Sequence, residues 1–111
     1  MINIEKGGAG VGLPTVLKAA RELGVTLFAV PATEREVVRR ALELNASAII
    51  LCHQHPSGDP TPSAADRTVT RQLVEAGRVV GVELVDHVVM GRPEADPAGK
   101  GWFSFGEAGL I

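Results

Sequence analysis

Three side chains with metal-ligand chemistry lie close together in the sequence, namely His53, His55 and Asp66. Alternate residues of an extended strand point the same way, so the two imidazoles can share a face while Gln54 points to the other. Ser63 is a favourable helix N-cap, and Asp66 three residues later falls in the first helical turn. Two imidazoles and a carboxylate can hold zinc and leave its fourth position to water. The spacing therefore makes this stretch a candidate metal site.

The same residues also allow a purely structural interpretation. Histidine pairs of the H-x-H type are common, and one aspartate eleven residues later adds little specificity. The Ser63 and Asp66 pair is also explained by helix capping alone. On spacing alone, metal binding and a structural role remain open.

Length, charge and cysteine content limit the protein class. A chain of 111 residues predicts one domain that folds without a disulfide, since Cys52 is the only cysteine. We expect Cys52 to be a packed core thiol on the strand face opposite the histidines; a ligand or nucleophile is the alternative. No targeting signal and no apolar run of membrane-spanning length is visible, so we expect a cytoplasmic protein without a membrane partner.

The charge does not favour nucleic-acid binding. The formal net charge is −2, and aromatic side chains for base stacking are few. Two groups of arginines nevertheless recur at helical spacing: Arg35, Arg39 and Arg40, and then Arg67, Arg71 and Arg78. A solvated helix face is the favoured interpretation of these groups, and a phosphate-binding strip is the alternative.

The pattern of elements predicts a layered α/β (α+β) fold with a central mixed sheet flanked by helices. Strands are expected over 25–30, 48–53, 83–90 and 102–105, and helices over 14–23, 33–45 and 64–80. Strand, helix and strand over 25–53 indicate a crossover between parallel strands, with the histidines at the carboxyl end of a central strand. The glycine-rich residues 7–12 match neither phosphate-loop motif and are interpreted as a linker.

The strand over 83–90 raises the question of a third imidazole ligand. Regular alternation would put Leu84, Asp86 and Val88 on one face, and His87 with Val85 and Val89 on the other. Because His87 shares its face with apolar residues, a hydrogen-bonded structural role is favoured over metal ligation.

A wider set of residues carries a resemblance. The spacing H-x-H, seven residues, Ser, two residues, Asp resembles the JAMM (Jab/MPN) zinc metalloenzyme motif. The surrounding residues resemble bacterial RadC proteins, from about Thr26 to Leu110: Arg35-Glu36-Val37, Ala41-Leu42, Asn45-Ala46, the run from His55 to Pro60, and Asp86-His87. On this basis the chain divides into an atypical segment, 1–25, with a glycine-rich loop and a helix, and a RadC-like JAMM domain, 26–111.

The resemblance implies a zinc ion held by His53, His55 and Asp66, with Ser63 as a catalytic residue that helps hold the zinc-activated water and the oxyanion. It also implies hydrolysis of peptide or isopeptide bonds, and therefore a protein or peptide substrate. The family's DNA-repair name adds a possible repair role. A non-enzymatic module that binds proteins at a replication or repair complex is the alternative.

One departure from the family pattern bears on activity. JAMM enzymes also use a glutamate general base on an early strand, and only Glu5 lies near the matching offset, in an unsuitable context. Glu22, Glu34 and Glu36 lie on predicted helices. If residues 1–25 do not supply the early strands of the sheet, the exposed edge of the sheet could pair with a second copy of the chain. A homodimer formed through this edge is therefore a hypothesis.

Overall fold

A four-stranded mixed sheet forms the framework of the protein. The computed structural model describes residues 26–29 and 34–111. The strands are β1 (Thr26–Ala29), β2 (Ala48–Gln54), β3 (Glu83–Met90) and β4 (Trp102–Ser104), in the order β1-β2-β3-β4. The first three run parallel, and β4 is antiparallel to β3. With helices in the two parallel crossovers, the predicted fold class is confirmed.

Two helices connect the parallel strands, α1 (Glu34–Glu43) and α2 (Ala64–Val80). Helix α2 has the predicted bounds, because Ser63 caps its N-terminus and Gly81, at φ 77°, accommodates the left-handed C-cap. Helix α1 ends two residues before the predicted Asn45. The reason is that Asn45 itself adopts a left-handed conformation, with φ 52°, in the turn that leads to β2.

One cluster of the core lies between the helices and one face of the sheet. Val37 and Ala41 of α1 and Leu73 of α2 cluster with Ile49 and Leu51 of β2, and all five are nearly inaccessible to solvent. Burial of each large aliphatic side chain contributes roughly 1.5–3 kcal/mol. This packing fixes α2, and with it the first helical turn, against β2.

Strand β3 departs from the predicted alternation. Ile49 pairs with Leu84 but Ile50 pairs with Asp86, so a bulge at Val85 leaves one residue of β3 unpaired. The bulge puts Leu84 in the core cluster on the face that also carries Leu51. The prediction that Leu84 and Asp86 share a face is therefore wrong. Beyond the bulge, His87 pairs with Leu51 and lies on the face of the sheet that also carries His53.

Several predictions fall outside the described residues. They are the helix over 14–23, the glycine-rich linker over 7–12, the start at residue 33 of the helix expected over 33–45, and the whole segment 1–25. In the described part of the loop after β3, Pro93–Ala95 forms a single turn of 3-10 helix. Among the helices that the structure describes, none combines the length and the apolar character that crossing a bilayer requires.

Candidate metal centre

The carboxyl end of β2 and the first turn of α2 bring three metal-ligand side chains together. One ligand atom from each of His53, His55 and Asp66 lies within 4.8 Å of the others. The imidazole rings of the two histidines meet edge to face, with centroids 4.9 Å apart. Donors bound to zinc at about 2.0–2.2 Å lie roughly 3.4 Å apart in a tetrahedron, so small shifts would let all three bind one ion. The three residues that the sequence singled out as ligands are thus placed together.

Asp66 is held in position by the helix cap. Its Oδ2 accepts a hydrogen bond from the Ser63 backbone N–H at 2.8 Å, and its own N–H donates to Ser63 Oγ at 3.0 Å. This reciprocal capping box fixes the carboxylate at the N-terminal end of α2. Oδ1 remains directed toward His53, 3.6 Å from its Nε2. The capping residues therefore orient the carboxylate toward the two imidazoles.

His55 has acceptors on both sides of its ring. Nδ1 lies 2.9 Å from the backbone carbonyl oxygen of Asp59, which can only accept, so Nδ1 must carry a proton. Nε2 lies 2.9 Å from Oδ2 of Asp66, a second acceptor. The arrangement is satisfied either by a doubly protonated ring or by a cation bound to both Nε2 and the carboxylate. The Asp59 carbonyl thus selects the tautomer that metal ligation through Nε2 requires.

The loop that supplies the Asp59 carbonyl depends on two glycines. Gly58 adopts φ +87°, and its carbonyl accepts the backbone N–H of Arg92 at 2.6 Å. Gly91 approaches so closely that a Cβ there would lie 2.1 Å from Gly58 O. The Arg92 side chain donates to the carbonyl of Ser57 and lies over Gly58. Backbone packing between the two loops therefore fixes the position of the His55 partner.

The protonation states of the other two side chains suit a metal ligand set. Burial lowers the pKa of His53 below its ordinary value; Asp66 opposes that shift and His55 adds to it. Burial acts to raise the pKa of Asp66, but hydrogen bonds with Ser63 and the nearby histidines outweigh it and lower the pKa. A neutral imidazole and an ionised carboxylate at neutral pH are the forms that bind metal ions.

His87 forms a buried network behind the ligands and is not one of the three clustered donors. Thr70 Oγ1 donates to the Asp66 carbonyl at 2.8 Å and lies 2.6 Å from His87 Nδ1, so the Nδ1–H of His87 donates to the hydroxyl. The ring stacks on Phe105, with centroids 4.8 Å apart, and meets the His53 ring edge to face at 6.5 Å. The predicted hydrogen bonding of His87 is confirmed.

Cys52 belongs to the opposite face of β2 and is 3% exposed. Burial, and secondarily the charge of Asp86, raises the pKa of the thiol to about 12. A protonated, inaccessible thiol is a poor nucleophile and a poor ligand. The expectation of a packed core thiol is confirmed.

Comparison with known proteins identifies the family. The family model described as a RadC-like JAB domain matches residues 17–110. The chain belongs to the RadC-like JAB domain family. The resemblance read from the sequence motifs is thereby confirmed.

Curated relatives of this RadC-like JAB domain are about half identical to it over the aligned residues. It is 50% identical over 86 residues to the UPF0758 protein STH371 of Symbiobacterium thermophilum, and the alignment covers 78% of this chain and 34% of that protein. It is 51% identical over 77 residues to a UPF0758 protein of Thermotoga maritima, and that alignment covers 69% of this chain and 32% of the relative. It is 48% identical over 91 residues to the UPF0758 protein YfjY of Escherichia coli, and that alignment covers 78% of this chain and 52% of the relative. The chain thus spans about a third to a half of the length of these relatives.

Sequence reasoning missed two contributors to the metal centre of this RadC-like JAB domain. The Asp59 partner is a backbone carbonyl, which no residue type reveals. Thr70 lies on the same helix as Asp66, one turn later, and its i, i+4 spacing from Asp66 is the signal that could have found it. Among the described residues, no glutamate joins the three clustered donors. Glu5 and Glu22 lie outside the described residues.

Proposed function

We propose that this protein is a zinc-dependent hydrolase of peptide or isopeptide bonds, with the metal held by His53, His55 and Asp66. The observation that carries the proposal is the environment of His55. Its ring has a carbonyl acceptor on Nδ1 and a carboxylate on Nε2, 2.9 Å away in each case. A bound cation satisfies both acceptors while the imidazole stays neutral. Imidazole and carboxylate donors are the set that zinc takes in hydrolases.

Bound zinc would supply a Lewis acid that polarises the substrate carbonyl and lowers the pKa of water toward neutrality. The protein's own part is orientation. Asp59 fixes the His55 tautomer through its carbonyl, and the capping box fixes the Asp66 carboxylate. Ser63 uses its Oγ lone pair to accept the Asp66 N–H, which leaves the hydroxyl proton for a donor role. Ser63 is solvent-exposed, so this proton can reach a substrate oxyanion.

Proton transfer requires a base that the clustered donors do not supply. General acid–base catalysis contributes on the order of 10² to 10⁴ in rate, so a site without a base turns over slowly. The JAMM resemblance places this role on an early glutamate, and Glu5 is the candidate. Because no glutamate joins the donor cluster within the described ranges, a second candidate function is a weakly active or inactive module that binds proteins, for example at a repair complex.

Elemental analysis of the purified protein tests the metal assignment. We expect about one zinc per chain, lost in His53→Ala and strongly reduced in Asp66→Asn. The Asn variant keeps a side-chain oxygen to accept the Ser63 N–H, so loss of zinc would reflect loss of the charged ligand and not of the helix cap. Gln54→Ala is the matched control, because Gln54 lies between the histidines and is exposed.

Activity is tested separately on the zinc-loaded protein with fluorogenic peptide and isopeptide substrates. Turnover that disappears in His53→Ala and Ser63→Ala but persists in Gln54→Ala would support the hydrolase. Full zinc occupancy without turnover would favour the binding module. No zinc in the parent protein after incubation with the metal would refute the proposed metal centre.

A further inference from the structure

A groove runs between α2 and the residues that follow β4, and its lining begins at Arg67, next in sequence to the ligand Asp66. One wall carries Arg67, Arg71 and Arg78, and the other is formed by residues that follow β4, including Leu110 and Ile111. Its volume is about 420 Å³. Eleven residues of helix separate the first arginine from the last, which corresponds to a length of about 16 Å. This groove is called the α2 groove below.

The arginines of the α2 groove have no anionic partner in the part of the chain that the structure describes. The ion pairs of arginine found there join Arg39 and Arg40 to Glu43, and Arg92 to Glu94. Glu75 is the one acidic side chain in the groove lining, so three arginines and one glutamate give the lining side chains a net charge of +2. The whole chain has the opposite sign, at −2. The α2 groove is therefore a local positive surface that suits an anionic partner.

The apolar part of the lining narrows the class of partner. Leu110 and Ile111 are 45% and 42% exposed, and Val74 lies half-buried between the arginines on the helix side. Phe105, the aromatic residue of the lining, is 1% exposed and offers no surface for base stacking. A nucleic acid would leave the aliphatic side chains without partners, whereas a peptide with alternating acidic and apolar side chains would match both parts.

The location of the α2 groove connects it to the metal centre. Arg67 directly follows the ligand Asp66, and Thr70, which also lines the groove, donates its hydroxyl to the Asp66 carbonyl. An extended chain advances about 3.3 Å per residue, so a groove of this length accommodates roughly five residues. A peptide lying in it would pass Arg67, the residue next in sequence to the ligand Asp66.

We propose that the α2 groove binds acidic, apolar peptide segments of about five residues and so selects the substrate of the metal centre. The substrate part of this inference rests on the proposed hydrolase function. Binding in the groove does not require the metal, since no groove arginine is a metal donor. The two proposals can therefore fail separately.

The test is fluorescence anisotropy with a labelled Glu-Leu-Glu-Leu-Glu peptide and its lysine counterpart. We expect the acidic peptide to bind with at least tenfold preference, and Arg71→Glu to weaken its binding roughly tenfold through loss of attraction and added repulsion. Arg35→Glu is the matched control, because it makes the same charge change at an exposed position of α1 outside the groove. Melting curves of both variants establish that they are folded.

Binding measurements on protein that lacks the metal separate the two proposals. Asp66→Asn and chelator-treated protein should bind the acidic peptide within about twofold of the parent, whatever their hydrolytic activity. In a protein that does hydrolyse the peptide, Arg71→Glu should raise KM with kcat nearly unchanged, which marks a binding residue.

Equal affinity for the two peptides, or equal weakening by Arg35→Glu and Arg71→Glu, would overturn the groove proposal. Tighter binding of duplex DNA of matched charge, with a steep salt dependence, would overturn it in favour of a nucleic acid.

Discussion

Replacing Thr70 by valine would remove one hydroxyl from the network behind the metal ligands and leave the side-chain shape nearly unchanged. Thr70 Oγ1 joins the Asp66 carbonyl to the Nδ1–H of His87, at 2.8 Å and 2.6 Å. Valine offers neither a donor nor an acceptor. His87, which is 3% exposed and already has Nε2 without a hydrogen-bond partner, would then have both ring nitrogens unsatisfied.

The expected loss of stability follows from that unsatisfied donor. A buried polar group without its partner costs about 1–3 kcal/mol, and the similar volume of valine creates little cavity to add to it. In a domain of about this size, 1 kcal/mol lowers Tm by roughly 4 °C. We therefore expect Thr70→Val to melt about 4–12 °C below the parent protein.

Urea and thermal unfolding followed by circular dichroism provide the assay, and the same helix supplies the control. Thr68 also donates its hydroxyl to the carbonyl four residues before it, but it is exposed and contacts no histidine. Thr68→Val should change stability by less than about 0.5 kcal/mol. Thr70→Ser, which keeps the hydroxyl, should recover most of the loss.

The reasoning would be refuted if Thr70→Val and Thr68→Val destabilised the protein equally. A second variant tests whether Thr70 acts through His87. His87→Phe keeps an aromatic ring to stack on Phe105 while removing both nitrogens. In that background the effect of Thr70→Val should shrink, and an undiminished effect would show that the hydroxyl acts only on the helix.

Two further predictions follow from the buried groups of the sheet. The pKa of His87 is lowered from 6.5 to about 4, chiefly by burial. Because the unfolded chain takes up this proton first, the contribution of His87 to stability should be complete above pH 6.5 and fall by about 2–3 kcal/mol by pH 4.5. Urea titrations should show a pH dependence that is smaller by this amount in His87→Phe. The pKa of Cys52 is raised from 9.0 to about 12 by burial and by Asp86. Because the thiol of the unfolded chain ionises first, the contribution of Cys52 to the stability of the folded protein should be lost as pH rises above 9.0. At pH 8 a disulfide-exchange reagent should label this thiol only at the rate of unfolding, and rapid labelling of the folded protein would contradict its buried position.

Much of the candidate site was predictable because its determinants are local. Alternation along β2 directs His53 and His55 together, and the capping pattern of Ser63 and Asp66 fixes the start of α2. The bounds of α2 and β3 were also predictable, since a cap and a glycine stop mark the helix and a run of mostly apolar residues marks the strand. Each of these signals acts within one or two helical turns.

What the sequence did not reveal depends on contacts between distant segments. The carbonyl of Asp59 becomes the His55 partner only because Gly58 packs against Gly91, 33 residues away. The pairing of Thr70 with His87 needs α2 to pack on β3 in one register. Neither contact has a signature in the types of residue involved, because a backbone carbonyl accompanies every residue and threonine is common on helices.

The bulge at Val85 has a consequence for insertions and deletions in β3. The alternation of side chains between the two faces shifts by one residue at the bulge, so the segments before and after the unpaired Val85 are out of phase with each other. Deleting Val85 would remove the unpaired residue and leave Leu84 opposite Ile49 and His87 opposite Leu51, so both side chains would keep their face of the sheet. Loss of Val88 would instead move Val89 and Met90 to opposite faces, because every residue after the gap would shift by one position. The strand should therefore tolerate a deletion at the bulge and be disrupted by one beyond it.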